Sequence, residues 1–196
     1  MKRSILGMVL SGGKSRRLGQ DKAQLSFHEG TNQLDYMLSL LDAFCDSLAI
    51  SCRSSQFEER SSRFDVALIL DAEGLAGPAA GVLGGLEHAG GRAVLVVACD
   101  MPLLDAASLL KLLSLRNSEK LATCFIAGDG KPEPMCAVYE AACLPVLEEW
   151  LGSGNFSLRR FLENADVELI AFSEPQLLAS VNTFEDVEAA RKRLAR

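Results

Sequence analysis

The chain has 196 residues, 48% hydrophobic and 23% charged, enough for one substantial core but with no apolar run near the ~20 residues of a membrane helix. Its 20 Lys+Arg are outweighed by 26 Asp+Glu, a formal net charge of −6, which excludes a general affinity for nucleic acid or anionic membrane. The 6 cysteines, at positions 45, 52, 99, 124, 136 and 143, sit mostly in apolar segments with neither C-x-x-C pairs nor zinc spacing, so the expectation is buried free thiols in a cytoplasmic protein.

The chain opens on "MKRSILGMVLSGG", a basic pair and an apolar stretch that imitates a signal peptide. The stretch is short, lacks a small-residue cleavage site and runs directly into a glycine pair, so it is read as a first strand over 5–10. Further strand-like runs follow at 47–52, 66–70, 93–99, 122–127, 135–139 and 167–172, several of them apolar on both faces. Helical patterns lie between them at 34–45, 79–89, 105–115, 141–151, 157–162 and 184–195, with Asp105 and Thr183 as N-caps.

Alternation of strand and helix predicts an α/β sandwich with a mostly parallel, doubly wound sheet and one domain over 1–196. In such sheets ligands bind beyond the carboxyl ends of the strands. The residues placed there are Ser11, Gly12 and Gly13, then Asp71, Asp100 and the segment after Ile126.

Chemistry gathers in "LSGGKSRRLGQDKAQL", residues 10–25. Gly13-Lys14-Ser15 spells the end of a P-loop, but the opening glycine of that motif falls on Met8, inside the strand. What remains is a strand, a two-glycine turn where backbone N–H groups approach an anion, and the cations Lys14, Arg16, Arg17 and Lys22. On an acidic chain this reads as a local polyphosphate site, with a solvated charge run as the alternative. Asp21 either holds the loop through backbone N–H groups or is solvated.

Asp100, delivered at the end of "AVLVVAC", reads as a magnesium ligand or as a turn residue ahead of Pro102. "GLAGPAAGVLGGL" (74–86) supplies either close backbone approach to a ligand or close helix–sheet packing. His28 and His88 have no partner at ligand or triad spacing and are read as surface or helix-end residues.

Taken together, these residues resemble the molybdenum cofactor guanylyltransferase family, MobA, whose signature is L-A-G-G-x-S-x-R-M-G-x-D-K-A-x-L. "GPAAGVLGGL", "VVACDMPLL", "KPEPMCAVY" and "VNTFEDV" resemble further family segments in family order, so the likeness spans nearly the whole chain.

The resemblance implies a three-layer, Rossmann-like nucleotidyltransferase fold and transfer of GMP from GTP to molybdenum-molybdopterin, with pyrophosphate released. It places the nucleotide on Leu10, Ser11, Gly12, Gly13, Lys22, Asp71 and Asp100, and catalysis on Arg17, Lys22 and Asp100. Mg²⁺ falls to Asp100 and Asn182. It further implies cofactor-synthesis and acceptor molybdoenzyme partners, with no nucleic acid and no membrane.

Four positions depart from the family pattern. Ser11 stands for alanine, Ser51 for a nucleotide-contacting asparagine, Ser180 for the first asparagine of the ending, and Phe184 for a proline whose loss is expected to disturb a helix start. Gly12-Gly13 agrees with guanylyl rather than cytidylyl transfer, the nearest rival. Arg17, Lys22 and Asp100 argue against a GTP-binding regulator without catalysis.

Overall fold

The computed structural model describes residues 4–13, 21–71, 75 and 77–195. Its centre is a seven-stranded sheet of β1 (Ile5–Leu10), β4 (Ser47–Cys52), β5 (Ala67–Leu70), β6 (Ala93–Ala98), β7 (Ala122–Ile126), β8 (Pro132–Tyr139) and β9 (Val167–Ile170), in the order β5-β4-β1-β6-β8-β7-β9. β8 alone runs antiparallel to its neighbours, so the sheet is mostly parallel, as expected.

Period-2 alternation divides the strand side chains between two cores. Val9, Ile50, Leu95, Val97 and Val138 face one side, where α1 (Gln33–Asp42) and α4 (Ala106–Ser114) pack. Leu6, Met8, Val94, Val96 and Tyr139 face the other, under α3 (Pro78–Ala89), α5 (Cys143–Gly152) and α6 (Leu158–Asn164). Every residue of β6 is buried, which explains its unbroken apolar run; each of its Val and Leu side chains contributes about 1.5–3 kcal/mol of burial. All six cysteines are free thiols, and five of them are buried.

Local signals set the helix ends. Asp105 caps α4 by accepting the Ser108 N–H at 2.8 Å. Thr183 and Asp186 form a reciprocal capping box at the start of α7 (Phe184–Leu194), so Phe184 opens a normal helix and the expected disturbance does not occur. α3 begins at Gly77, with φ 83°, followed by Pro78, and ends on left-handed Gly90.

The sequence pattern predicts neither the small hairpin nor the short polar helix that follows β4. The hairpin comprises β2 (Ser26–His28) and β3 (Thr31–Asn32), turned at Glu29-Gly30; the helix is α2 (Phe57–Arg63). α7 packs on the hairpin through Leu25, Val181, Val187 and Ala190, a third small core. β8 also begins three residues earlier than expected. Pro132 and Pro134 obscure a strand pattern, yet they fit here because the β6 ladder reaches only from Tyr139 to Cys136.

Chain order explains where a ligand belongs. From β1 the chain moves outward through β4 to β5, then returns by α3 to β6 on the other flank of β1. This reversal puts the switch point between β1 and β6, whose carboxyl ends carry Ser11–Gly13 and Cys99–Asp100. Among the described residues no helix is long and apolar enough to cross a membrane.

Candidate active site

The glycine turn is held from both sides as it leaves β1. The Ser11 N–H donates to the Ser51 carbonyl at 2.9 Å, and the Cys99 N–H donates to the Leu10 carbonyl at 3.0 Å. The two glycines then do different work. A Cβ on Gly12 would lie 2.6 Å from Asp71 Oδ2, whereas one on Gly13 would meet nothing within 4 Å among the described residues. Gly12 is therefore matched to the Asp71 carboxylate, and Gly13 has no such neighbour among the described residues.

Two departures from the family pattern acquire a structural account. The Ser11 hydroxyl donates to the Ser51 carbonyl at 3.0 Å and is turned into the protein. The Ser51 hydroxyl donates to Asp71 Oδ1 at 2.9 Å, fixing that carboxylate beside Gly12. Ser180 is exposed.

Lys22, Asp100 and Asn182 meet at one point. The Lys22 ammonium donates to Asp100 Oδ2 at 2.9 Å and to Asn182 Oδ1 at 2.8 Å. Asn182 arrives because the Val181 N–H donates to the Asp100 carbonyl at 2.8 Å, while Asp186 Oδ2 accepts the N–H groups of Asn182 and Thr183, both at 2.8 Å. Those two bonds hold the Asp186 carboxyl below its usual range.

The convergence of two hard oxygens on a single positive charge is a donor set that fits Mg²⁺, which takes one or two protein oxygens and completes its shell with phosphate and water. Among the described residues no group of three or more His, Cys, Asp or Glu forms a richer metal site. Arg17, Lys14, Arg16 and Gly19 lie outside the described residues.

Asp21 is a structural anchor: its Oδ1 accepts the Ala23 N–H at 3.0 Å and its Oδ2 accepts from Arg60 at 2.6 Å. Gln56 and Arg60, together with Arg53, whose guanidinium reaches the Gly13 carbonyl at 3.4 Å, are site residues that the sequence reading missed. The available signal was position: "RSSQ" (53–56) follows β4 at the same carboxyl edge. The N-terminal end of antiparallel β8 reaches this edge too, bringing buried Glu133, whose pKa burial raises, toward Arg159 at 3.8 Å.

The remaining candidates have structural roles. Cβ atoms on Gly81, Gly84 and Gly85 would lie 2.5–2.8 Å from Ser51, Ile69 and Met8, so the glycines after Gly77 serve close helix–sheet packing. His28 stacks on Tyr36 with centroids 3.6 Å apart and donates from Nε2 to the Pro102 carbonyl at 3.1 Å. His88 is exposed in the last turn of α3.

An α/β sheet of this order, with an open glycine turn, a lysine and a strand-end carboxylate gathered at its switch point, defines a nucleotide-handling protein of the nucleotidyltransferase class. The chain matches the MobA-like NTP transferase domain over residues 7–169 and belongs to that family.

It is 34% identical over 184 residues to the molybdenum cofactor guanylyltransferase of Pseudomonas entomophila, covering 87% of this chain and 94% of that protein. It is 30% identical over 183 residues to the molybdenum cofactor biosynthesis bifunctional protein of a Synechocystis species; the match covers 93% of this chain but spans only about half, 52%, of that relative. Among solved structures, molybdopterin-guanine dinucleotide biosynthesis protein A from Archaeoglobus fulgidus has the same fold, with a TM-score of 0.79 at 24% identity over 97% of this chain and 98% of that one.

Proposed function

We propose that this protein is a Mg²⁺-dependent guanylyltransferase that transfers GMP from GTP to molybdenum-molybdopterin. An oxygen of the pterin's terminal phosphate attacks the α-phosphorus of GTP, the bond from that phosphorus to the β-bridging oxygen breaks, and pyrophosphate leaves with the electron pair. The product is the guanine dinucleotide joined through a new phosphoanhydride. The observation that carries this reading is the meeting of Lys22, Asp100 and Asn182 beside the open Gly13 turn, supported by the activity named for the relatives.

Such a reaction needs charge neutralisation and alignment more than a covalent nucleophile. Gly13 leaves room for phosphate at the end of β1. Asp71, held on Oδ1 by Ser51, retains acceptor capacity for donors on the nucleoside. Lys22 supplies positive charge where polyphosphate would lie, and the resemblance gives Arg17 the same task. Mg²⁺, held by Asp100 and Asn182 when bound, supplies neutralisation of phosphate charge and a template for in-line transfer.

The test is incubation with each of the four nucleoside triphosphates, Mg²⁺ and molybdenum cofactor, measuring incorporated nucleotide. GTP is expected to be preferred, and Asp100→Ala to abolish turnover in a folded protein. Equal or better incorporation of CTP would overturn the guanylyl assignment. Near-normal turnover by Asp100→Ala would return that residue to a turn role.

A further inference from the structure

Arg60 on α2 has a fully buried side chain, 0% exposed, in a helix whose sequence otherwise reads as solvated. A guanidinium in that position is costly unless paired, and even a paired buried charge is seldom more stabilising than an apolar side chain of similar size. Its presence at a fully buried position therefore points to geometry rather than to stability. Nη2 of Arg60 lies 2.6 Å from Asp21 Oδ2, whereas its second contact, Glu59 at 3.3 Å, is with a residue 45% exposed at the rim.

Asp21 passes this constraint on in two directions. Its Oδ1 caps the single turn Lys22–Gln24 by accepting the Ala23 N–H. Its Oδ2 also accepts from Gln56 Nε2 at 3.2 Å, and that same amide donates to the Ser11 carbonyl at 3.4 Å. One carboxylate thus links the α2 helix, the glycine turn and the residue before Lys22. Lys22 itself has a flexible four-carbon stem, so the aim of its ammonium depends on where its backbone is held.

We propose that Arg60 is a positioning residue for Lys22: through Asp21 it fixes the turn that directs the Lys22 ammonium at Asp100 and Asn182. The proposal rests on the guanylyltransferase reading only for the reaction that Lys22 then serves.

The experiment compares wild type, Asp21→Asn and the double variant Arg60→Met/Asp21→Asn, which leaves no unpaired buried charge. Nitrogen NMR of the lysine ammonium groups reads the Lys22 contact, the signal being assigned by its loss in Lys22→Ala. The wild type is expected to show a solvent-protected Lys22 ammonium. Both brace variants should lose it while keeping a native amide spectrum.

Single-turnover GMP transfer should fall by ~10- to 100-fold in the brace variants, as expected for a misplaced catalytic group. The same substitutions added to Lys22→Ala should change its rate by less than about twofold, because a residue acting through Lys22 has nothing left to position. A wild type without the protected signal, a folded brace variant that retains it, or a full further loss of rate in the Lys22→Ala background would each overturn the proposal. Loss of the protected signal in both brace variants, with no GMP transfer by the wild type, would sustain the brace and sink the guanylyltransferase reading.

Discussion

At the scale of single residues, two lysines separate two kinds of phosphate loop. A disguised P-loop would depend on Lys14 in "GGKS", whereas the proposed site would depend on Lys22, whose ammonium donates to Asp100 and Asn182. Loss of a transition-state charge contact typically costs 10²–10³ in rate, so Lys22→Ala is expected in that range and Lys14→Ala within several-fold of the parent. Single-turnover rates at saturating GTP and Mg²⁺ decide it, and the opposite ranking would reject the assignment. Gln33 presents a different residue-scale feature: it is fully buried at the start of α1, and neither amide atom has a partner among the described residues. Gln33→Leu should remove the cost of unpaired polar groups and stabilise the protein by about 1–3 kcal/mol. Thermal melting would show a rise of several degrees; a fall would mean that the amide finds partners in solution.

At the scale of elements, α7 does more than close the chain against the β2–β3 hairpin. Its capping carboxylate, Asp186, also holds the N–H of Asn182, so the start of the helix and the position of a site residue are one structure. Thr183→Ala removes half of the capping box and is expected to cost about 1 kcal/mol of stability. Turnover should fall several-fold with it, as the Asn182 amide loses its fixed place. Melting and kinetics together test this, and a destabilised variant with wild-type turnover would disconnect the cap from the site. The sign of the pH effect is also set. Asp186 has a lowered pKa in the fold, so its contribution is present above the ordinary 3.8 and lost as pH falls through its folded value.

Whole-molecule stability carries an opposing slope from Glu133, buried where β8 reaches the carboxyl edge of the sheet. Burial raises its pKa above the ordinary 4.5, against the smaller opposing pull of the Met135 N–H and Arg159. The folded state therefore favours the protonated form, and the contribution of this group is complete below 4.5 and declines as pH rises through its folded value. Glu133→Gln keeps an acceptor for Met135 and removes the titration. Its melting temperature relative to wild type should rise as pH increases above 4.5 and level off once the folded-state pKa of Glu133 is passed. A difference that stays constant as pH rises above 4.5 would show that the fold does not raise the Glu133 pKa.

The sequence by itself determined the sheet and its active edge. Apolar runs such as Ile5–Leu10 and Ala93–Ala98 are long, β-rich and followed by turn residues, so their ends, and with them Gly12, Gly13 and Asp100, were legible locally. The capped helices α4 and α7 were legible for the same reason. Polar α2 has no apolar stripe to betray it, and its buried Arg60 follows from no local pattern. Only the tertiary structure decided that Gly12 answers to Asp71, that the glycines of α3 serve packing, and that Asp21 is an anchor. Contacts of this kind join positions far apart in the chain: Asp21 and Arg60 are separated by 39 residues, Lys22 and Asp100 by 78, Lys22 and Asn182 by 160. Short-range periodicity records which face of an element is buried, but which side chains meet across a site depends on how the elements pack, and that is fixed only when the sheet, its helices and α7 are assembled together.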